Sequence, residues 1–206
     1  NDSNFQTAIN LWFSDEANAT ATYGHISDWN TSAVTNMAHA FEDRTTFNAN
    51  INAWDVSNVT TMYRMFRNAS SFNQPLNDWN TSSVSNMAHM FYGAVVFNQS
   101  IGDWNTTAVT NMGHMFREAR AFNQDISDWD TSNVTNMGFM FNFAWQFNQP
   151  IGDWSTIAVT SMDAMFREAR AFNQNISDWN TSAVTNMYQK FKGRSDPHVQ
   201  RNSKEG

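Results

Sequence analysis

Residues 104–128 have the sequence WNTTAVTNMGHMFREARAFNQDISD, and variants of this 25-residue unit follow one another along most of the chain. The most regular position of the unit is a tryptophan, which recurs at Trp29, Trp54, Trp79, Trp104, Trp129, Trp154 and Trp179. A strict period of about 20 to 50 residues is typical of solenoids, propellers and arrays. Because the unit is too short for a four-stranded propeller blade, it predicts a solenoid with one turn of chain per unit.

Apolar spacing within one unit predicts a short helix and a short strand. The helix is predicted from the spacing i, i+3, i+4 and i+7 of Met112, Met115, Phe116 and Ala119. Partial alternation of Phe and Ile over 122–126 predicts a brief strand, and the turn formers of 127–132 predict a chain reversal. The predicted fold class is therefore an α/β repeat solenoid of seven stacked units, each with a strand, a turn and a helix.

Both ends of the chain depart from the repeat. Residues 1–25 predict an N-terminal capping helix, in which Ser3 and Gln6 match a capping box. Its buried stripe would consist of Phe5, Ile9 and Trp12. Residues 26–191 are predicted to form the repeat solenoid, and the polar residues 192–206 predict a C-terminal tail that is either mobile or a linker.

Composition limits the classes of function. The chain has 206 residues and a net charge of -7, so it lacks the broad basic footprint on which nucleic-acid binding depends. It contains no cysteine, which excludes disulfides and thiolate metal sites. No apolar run approaches the ~18 residues expected of a membrane span. We expect no nucleic-acid partner and no membrane insertion of this chain.

The sequence also lacks the motifs of common enzyme sites, such as HExxH, a glycine-rich phosphate loop and GxSxG. His39, His89 and His114 share one column, meaning equivalent positions of different units. Two imidazoles in consecutive units could hold a transition metal. The same column also holds Arg64 and Phe139, which favours exposed helix residues without a common role. We predict that the chain is not an enzyme and has no cofactor.

Aspartates form a column directly before the repeat tryptophan, at Asp28, Asp78, Asp103, Asp128, Asp153 and Asp178. Stacked carboxylates about 5 Å apart would repel unless each accepts backbone N–H groups or shares a cation. We favour Asx-type turns closed with the Thr or Ser three residues on. The alternative is a calcium column at Asp78, Asp103, Asp128 and Asp153. Asparagine columns, such as the one beginning at Asn48, predict ladders that satisfy buried backbone groups.

Six residues depart from the repeat with additional apolar side chains: Phe139, Phe143, Trp145, Tyr92, Val95 and Val96. Phe139 and Phe143 are four residues apart and would share a helix face. The six residues predict a partner-binding patch. The alternative is that Trp145 stacks in register between Arg120 and Arg170, a cation–π sandwich that needs no partner.

The unit W-(D/N)-T-S-x-V-T-N-M-x-x-M-F-x-x-A-x-x-F-N-Q-x-I-x-D resembles the leucine-rich-repeat-like units of BspA-like bacterial surface proteins and mycoplasma surface lipoproteins. The resemblance extends from Ile26 to about Phe191. It implies a right-handed, leucine-rich-repeat-like stack at a cell surface or in the extracellular space, with adhesion or protein interaction as the usual role. It implies no catalytic residues, and the lipoprotein cysteine of that family is missing here.

The sequence thus predicts a non-catalytic, extracellular or cell-surface binding or adhesion module with a protein or surface glycan as partner. One alternative is a structural subunit of an extracellular layer or filament. A less favoured alternative is an ice-binding protein that uses a threonine row at Thr35, Thr60, Thr110, Thr135, Thr160 and Thr185. Ice binding needs a flat exposed array, whereas these threonines follow Val, and four of the six precede Asn, in a segment expected to turn into the helix.

Overall fold

The computed structural model describes residues 1–187, and the predicted tail at 192–206 lies outside them. Within these residues the helices are α1 (Asp2–Ser14), α2 (Glu16–Tyr23) and a single 3-10 turn (Ile26–Asp28). Neither of the two α-helices is long and apolar enough to cross a membrane. The repeat units of this part of the chain contain turns and extended segments, with no α-helix and no strand. The predicted α/β repeat solenoid of strand, turn and helix is therefore wrong.

Successive units nevertheless stack in register. Isolated parallel bridges join equivalent residues along the stack, in the order Asn36, Thr61, Asn86, Asn111, Asn136, Ser161 and Asn186. These bridges lie in the Val-Thr-Asn part of the unit, outside the segment 122–126 that was predicted as a strand. In that segment Asn123 donates its N–H to the side-chain oxygen of Asn98 at 2.9 Å, and Gln124 bonds the same oxygen at 3.0 Å. The predicted asparagine ladder is confirmed, and it takes the place of main-chain pairing.

The segment that was predicted as a helix consists of successive turns. Met115 donates its N–H to the carbonyl of Met112 at 3.1 Å, and Ala119 donates to Phe116 at 3.0 Å. Other N–H groups in the segment bond the next unit, as in Phe116 to Met140 at 2.9 Å. Turns that close over three residues return side chains to the inside at nearly the spacing of a helix face. Met112, Met115, Phe116 and Ala119 are therefore all buried, as the pattern indicated, although no helix forms.

Left-handed backbone explains why this segment cannot be helical. His114 and Glu118 both have φ of 60°. The equivalent residues of the other units share this conformation: His39, Asp43, Arg64, Asn68, His89, Gly93, Phe139, Phe143, Ala164 and Glu168. A residue with positive φ interrupts a right-handed helix and costs about 1–3 kcal/mol when it is not glycine.

The N-terminal segment forms two helices where one was predicted. Phe5, Ile9 and Trp12 are buried, which confirms the predicted stripe. The predicted capping box is wrong, because α1 begins at Asp2 and Ser3 lies inside it. The side chain of Asp15 caps α2 by accepting the N–H of Asn18 at 3.0 Å.

Asp2 completes the hydrogen bonding of the first unit. Its carboxylate accepts the N–H groups of Thr35 at 2.7 Å and Asn36 at 3.1 Å, and also the Thr35 hydroxyl. In the next unit, Thr60 donates its N–H to the carbonyl of Thr35 at 2.8 Å. Asp2 therefore occupies the place of a carbonyl from a preceding unit. Hydrogen bonds from Thr35 hold the pKa of Asp2 below its usual value.

Stacked aromatic rings form the centre of the core. The Trp104 ring is 3% exposed, and its centroid lies 6.2 Å from that of Trp79 and 6.4 Å from that of Trp129. Its Nε1–H donates to the carbonyl of Leu76 at 2.9 Å. The other repeat tryptophans are also buried, so the prediction that this column is interior is confirmed.

Candidate functional site

The candidate site lies on the outward side of the turn segments. We define the arginine face as the outward side chains of residues 38–46 and of the equivalent residues in the following units. Its name comes from the distribution of cations, because every arginine of residues 1–187 lies in these segments: Arg44, Arg64, Arg67, Arg117, Arg120, Arg167 and Arg170. The segments also contain five carboxylates, Glu42, Asp43, Glu118, Asp163 and Glu168. The rest of residues 1–187 has twelve carboxylates and neither lysine nor arginine.

Trp145 is held between two arginines, as the alternative interpretation of the sequence predicted. The guanidinium carbon of Arg120 lies 4.3 Å from the ring centroid, and that of Arg170 lies 4.7 Å from it. The ring is only partly exposed, and its Nε1 is buried without a hydrogen-bond partner. Two cations thus cover an aromatic ring that the stacking of the core does not require.

Tyr92 forms a second sandwich of the same kind, which the sequence analysis missed. Its ring centroid lies 5.3 Å from the guanidinium carbon of Arg67 and 5.0 Å from that of Arg117. The signal was present in the sequence, because the three residues occupy one column in consecutive units. Val95 is partly exposed, and Val96 is 43% exposed.

The histidine column was predicted to consist of exposed helix residues. His39 is exposed, at 46% of its side chain, but it lies in a turn, and the prediction is wrong for His89 and His114. His89 and His114 are partly buried, and their rings stack at 4.3 Å with an angle of 7° between the planes. Phe139 continues the stack at 4.7 Å from His114. Burial, with a contribution from nearby Arg117, lowers the pKa of each histidine to about 4. Parallel rings direct their nitrogen lone pairs along parallel planes, which does not favour a shared metal ion.

Phe139 and Phe143 do not form the common helix face that was predicted, because both have left-handed backbone in a turn. Each ring is partly exposed and lies near a different arginine. Arg117 is 5.7 Å from the Phe139 centroid, and Arg167 is 5.8 Å from that of Phe143. The six candidate residues therefore lie on one face, but among arginines and not as a continuous apolar surface.

Carboxylates neutralise some of the arginines. Glu42 accepts a hydrogen bond from Arg67 at 2.6 Å and also contacts His39 and Arg64. Burial raises the pKa of Glu42, but hydrogen bonds from His39 and Arg67 outweigh that effect and lower it overall. Among the described residues, Arg44, Arg120 and Arg167 have no carboxylate within ion-pair distance. These three guanidinium groups remain available to an anion.

The aspartates that precede the repeat tryptophan do not close the predicted turns. The residue that follows the tryptophan does so, as when Asp130 accepts the N–H of Ser132 at 2.9 Å. Hydrogen bonds from that serine lower the pKa of Asp130. Asp78 instead accepts the side chain of Asn52 from the preceding unit at 2.7 Å. Within residues 1–187, no three His, Asp or Glu side chains come together in a metal-binding group.

The sequence of the chain matches one known protein family. Residues 7–119 and 96–203 each match a family described as mycoplasma protein of unknown function, DUF285. The chain belongs to this family. Two overlapping matches to one DUF285 pattern also agree with a repeat protein, and the mycoplasma part of the resemblance is confirmed. A search of curated proteins found no match.

Proposed function

We propose that this DUF285 chain is a non-catalytic binding or adhesion module that acts through its arginine face, either secreted or displayed at a cell surface. The observation that carries the proposal is the contrast between inward and outward columns. Inward positions repeat with little change because stacking requires them. Arginines and additional aromatic rings instead occur on one outward face, although the core does not require them.

The finer resemblance to BspA-like surface proteins supports the same proposal. That resemblance implies adhesion or protein interaction as the usual role. The carboxylates of the face also favour binding over catalysis. The Oε1 atom of Glu118 lies 3.5 Å from Nε of Arg117, and the Oε2 atom of Glu168 lies 3.8 Å from Nε of Arg170. Each carboxylate therefore forms an ion pair with a neighbouring arginine. A protein or a surface glycan is the proposed partner.

Ice binding is a second candidate, because the threonine row is exposed along the whole stack. The reason given against it from sequence is wrong, since the row does not lead into a helix. A different observation makes it the less favoured candidate. Thr135 donates its hydroxyl proton to the carbonyl of Thr110 at 3.1 Å, and Thr160 donates to Thr135 at the same distance. Ser85 also interrupts the row. Thermal hysteresis of a solution of the chain would support ice binding.

The test of the binding proposal is an array of immobilised glycans and extracellular proteins probed with the purified full chain. The combined change Phe139→Ser, Phe143→Ser and Trp145→Gln should abolish binding while circular dichroism and melting stay close to those of the parent. Ile157→Ser is the matched control, because Ile157 is 63% exposed and lies outside the arginine face. The control should bind as the parent does.

A second variant keeps the test decisive if the triple variant unfolds. Val96→Glu adds bulk and a negative charge at a residue that is 43% exposed and removes no packed ring, so it should fold and weaken binding. Binding by the triple variant or by Val96→Glu at the level of the parent would show that this face is not the site. The absence of any bound molecule on the array would contradict the proposed function itself. A filament subunit, the other alternative, would instead form large assemblies in analytical ultracentrifugation.

A further inference from the structure

We infer that the arginine face recognises a linear acidic polysaccharide, whose carboxylate or sulfate groups bind the guanidinium groups. The inference rests on the proposed function, because it names the chemical class of the ligand for the same face. Three observations support it: the segregation of charge, the order of cations and rings along the stack, and the way in which the side chains are held.

Charge segregation selects an anionic ligand. The chain carries a net charge of -7, yet all arginines of residues 1–187 lie in the turn segments. Outside these segments, the same residues contain twelve carboxylates and no lysine or arginine. An anion approaching the protein is therefore repelled by most of its surface and attracted to one face. Arg44, Arg120 and Arg167 lack a carboxylate partner within the described residues and are the strongest attachment points.

The order of the side chains fits a polymer with regularly spaced groups. Along one column, Arg67, Tyr92 and Arg117 come from consecutive units, with cation-to-ring distances of 5.3 and 5.0 Å. Along a neighbouring column, Arg120 and Arg170 flank a tryptophan in the same way. Cations thus alternate with aromatic rings at the step of the repeat. An acidic polysaccharide has the same alternation, since each charged group sits on a ring with apolar C–H faces.

Three of the seven arginines are held in place before any ligand binds. The side chains of Arg64, Arg67 and Arg117 are only 33%, 27% and 30% exposed, and each lies over an aromatic ring. Less conformational entropy is lost when such a side chain binds an anion than when a free one does. Guanidinium groups also bind carboxylates and sulfates through two parallel hydrogen bonds.

An acidic peptide fits the face less well. Peptides gain affinity by adding a strand to a free edge or by placing an apolar anchor in a pocket. In the turn segments N–H groups such as those of His114 and Phe116 already donate to the next unit, at 2.8 and 2.9 Å. Of the large apolar residues that are exposed within the described part of the chain, Tyr23, Val96 and Ile157, only Val96 belongs to the arginine face.

The experiment measures binding of the full chain to immobilised dextran sulfate, alginate and uncharged dextran, with poly-glutamate as the acidic peptide. We expect binding to one or both acidic polysaccharides, weakening steeply with added salt, and none to dextran. The variant Arg120→Gln with Arg167→Gln should lose about tenfold in affinity, because it removes two charge-assisted contacts. Ser82→Asp with Ser182→Asp changes the net charge equally, at exposed residues outside the face, and should stay within about twofold of the parent.

The outcomes separate the inference from the proposed function. Preference for dextran sulfate identifies sulfate as the bound group, and preference for alginate identifies carboxylate. Equal losses in the arginine variant and its charge-matched control, equal binding of dextran, or poly-glutamate binding as tight as that of the polysaccharides would overturn the inference. Proteins alone bound on the array would overturn it while leaving the proposed function standing. If the glutamine variant unfolds, Arg120→Lys with Arg167→Lys keeps the charge but removes the two-point contact of each guanidinium group. It should lose about threefold in affinity, and affinity equal to that of the parent would overturn the inference.

Discussion

Replacing Trp104 by alanine tests the stacking of the units most directly. The ring is 3% exposed and lies between Trp79 and Trp129, so its removal leaves a cavity with packed rings on two sides. Truncation of a buried aromatic residue costs about 3–5 kcal/mol in the free energy of unfolding. The change also leaves the carbonyl of Leu76 without its donor. We therefore expect a loss in the upper half of that range.

Urea unfolding followed by circular dichroism gives the free energy change. Trp104→Phe helps to separate the two contributions, because it keeps an aromatic ring while it removes the donor and only part of the buried volume, with an expected loss of about 1–3 kcal/mol. Ile157→Ala is the surface control and should lose no more than about 0.5 kcal/mol. If Trp104→Ala unfolds at the same urea concentration as Ile157→Ala, the Trp104 ring does not contribute to the stability of the core.

Three further predictions concern metal, pH and backbone. Treatment with EDTA should leave the melting temperature unchanged, and a fall that calcium reverses would instead identify the aspartate column as metal ligands. The pKa values of His89 and His114, about 4 when folded and 6.5 ordinarily, mean that protons bind the unfolded chain more readily. Stability should thus fall as the pH drops from about 6.5 towards 4. His89→Gln with His114→Gln should reduce that fall in thermal melts, and an unchanged pH profile would contradict it. At Glu118, where φ is 60°, glycine should melt at or above the parent and valine below it by about 1–3 kcal/mol of stability. Equal melting of these two variants would show that the backbone there is not left-handed.

The inward columns could be predicted from sequence because the spacing of apolar residues shows which side chains are buried. That spacing is nearly the same for a helix and for successive turns. Met112, Met115, Phe116 and Ala119 are buried in successive turns as they would be on a helix. The pattern therefore identified the core but could not distinguish the two conformations. One column did contain a signal for turns, since it holds Asp43, Asn68 and Gly93. These residue types tolerate positive φ, whereas a helix disfavours glycine.

The sequence predicted the position of the candidate site more accurately than the conformation and contacts of its residues. The residues that depart from the repeat do lie on one face, and the sandwich around Trp145 followed from counting residues between Arg120 and Arg170. The same count would have found the arginines around Tyr92. The stack of His89 on His114 could not be predicted, because a helix would have directed both rings to solvent.

The direction of the hydrogen bonds between units has a consequence for the evolution of this chain. Trp104 donates towards the N-terminal end of the stack, to Leu76, and Phe116 donates towards the C-terminal end, to Met140. Every internal seam of the described stack therefore offers the same complementary groups, so the loss or duplication of one 25-residue unit creates a single new seam that still matches. An insertion of any other length displaces each donor from its acceptor. Recombination between repeats can thus lengthen or shorten the arginine face in whole units without a new core having to arise.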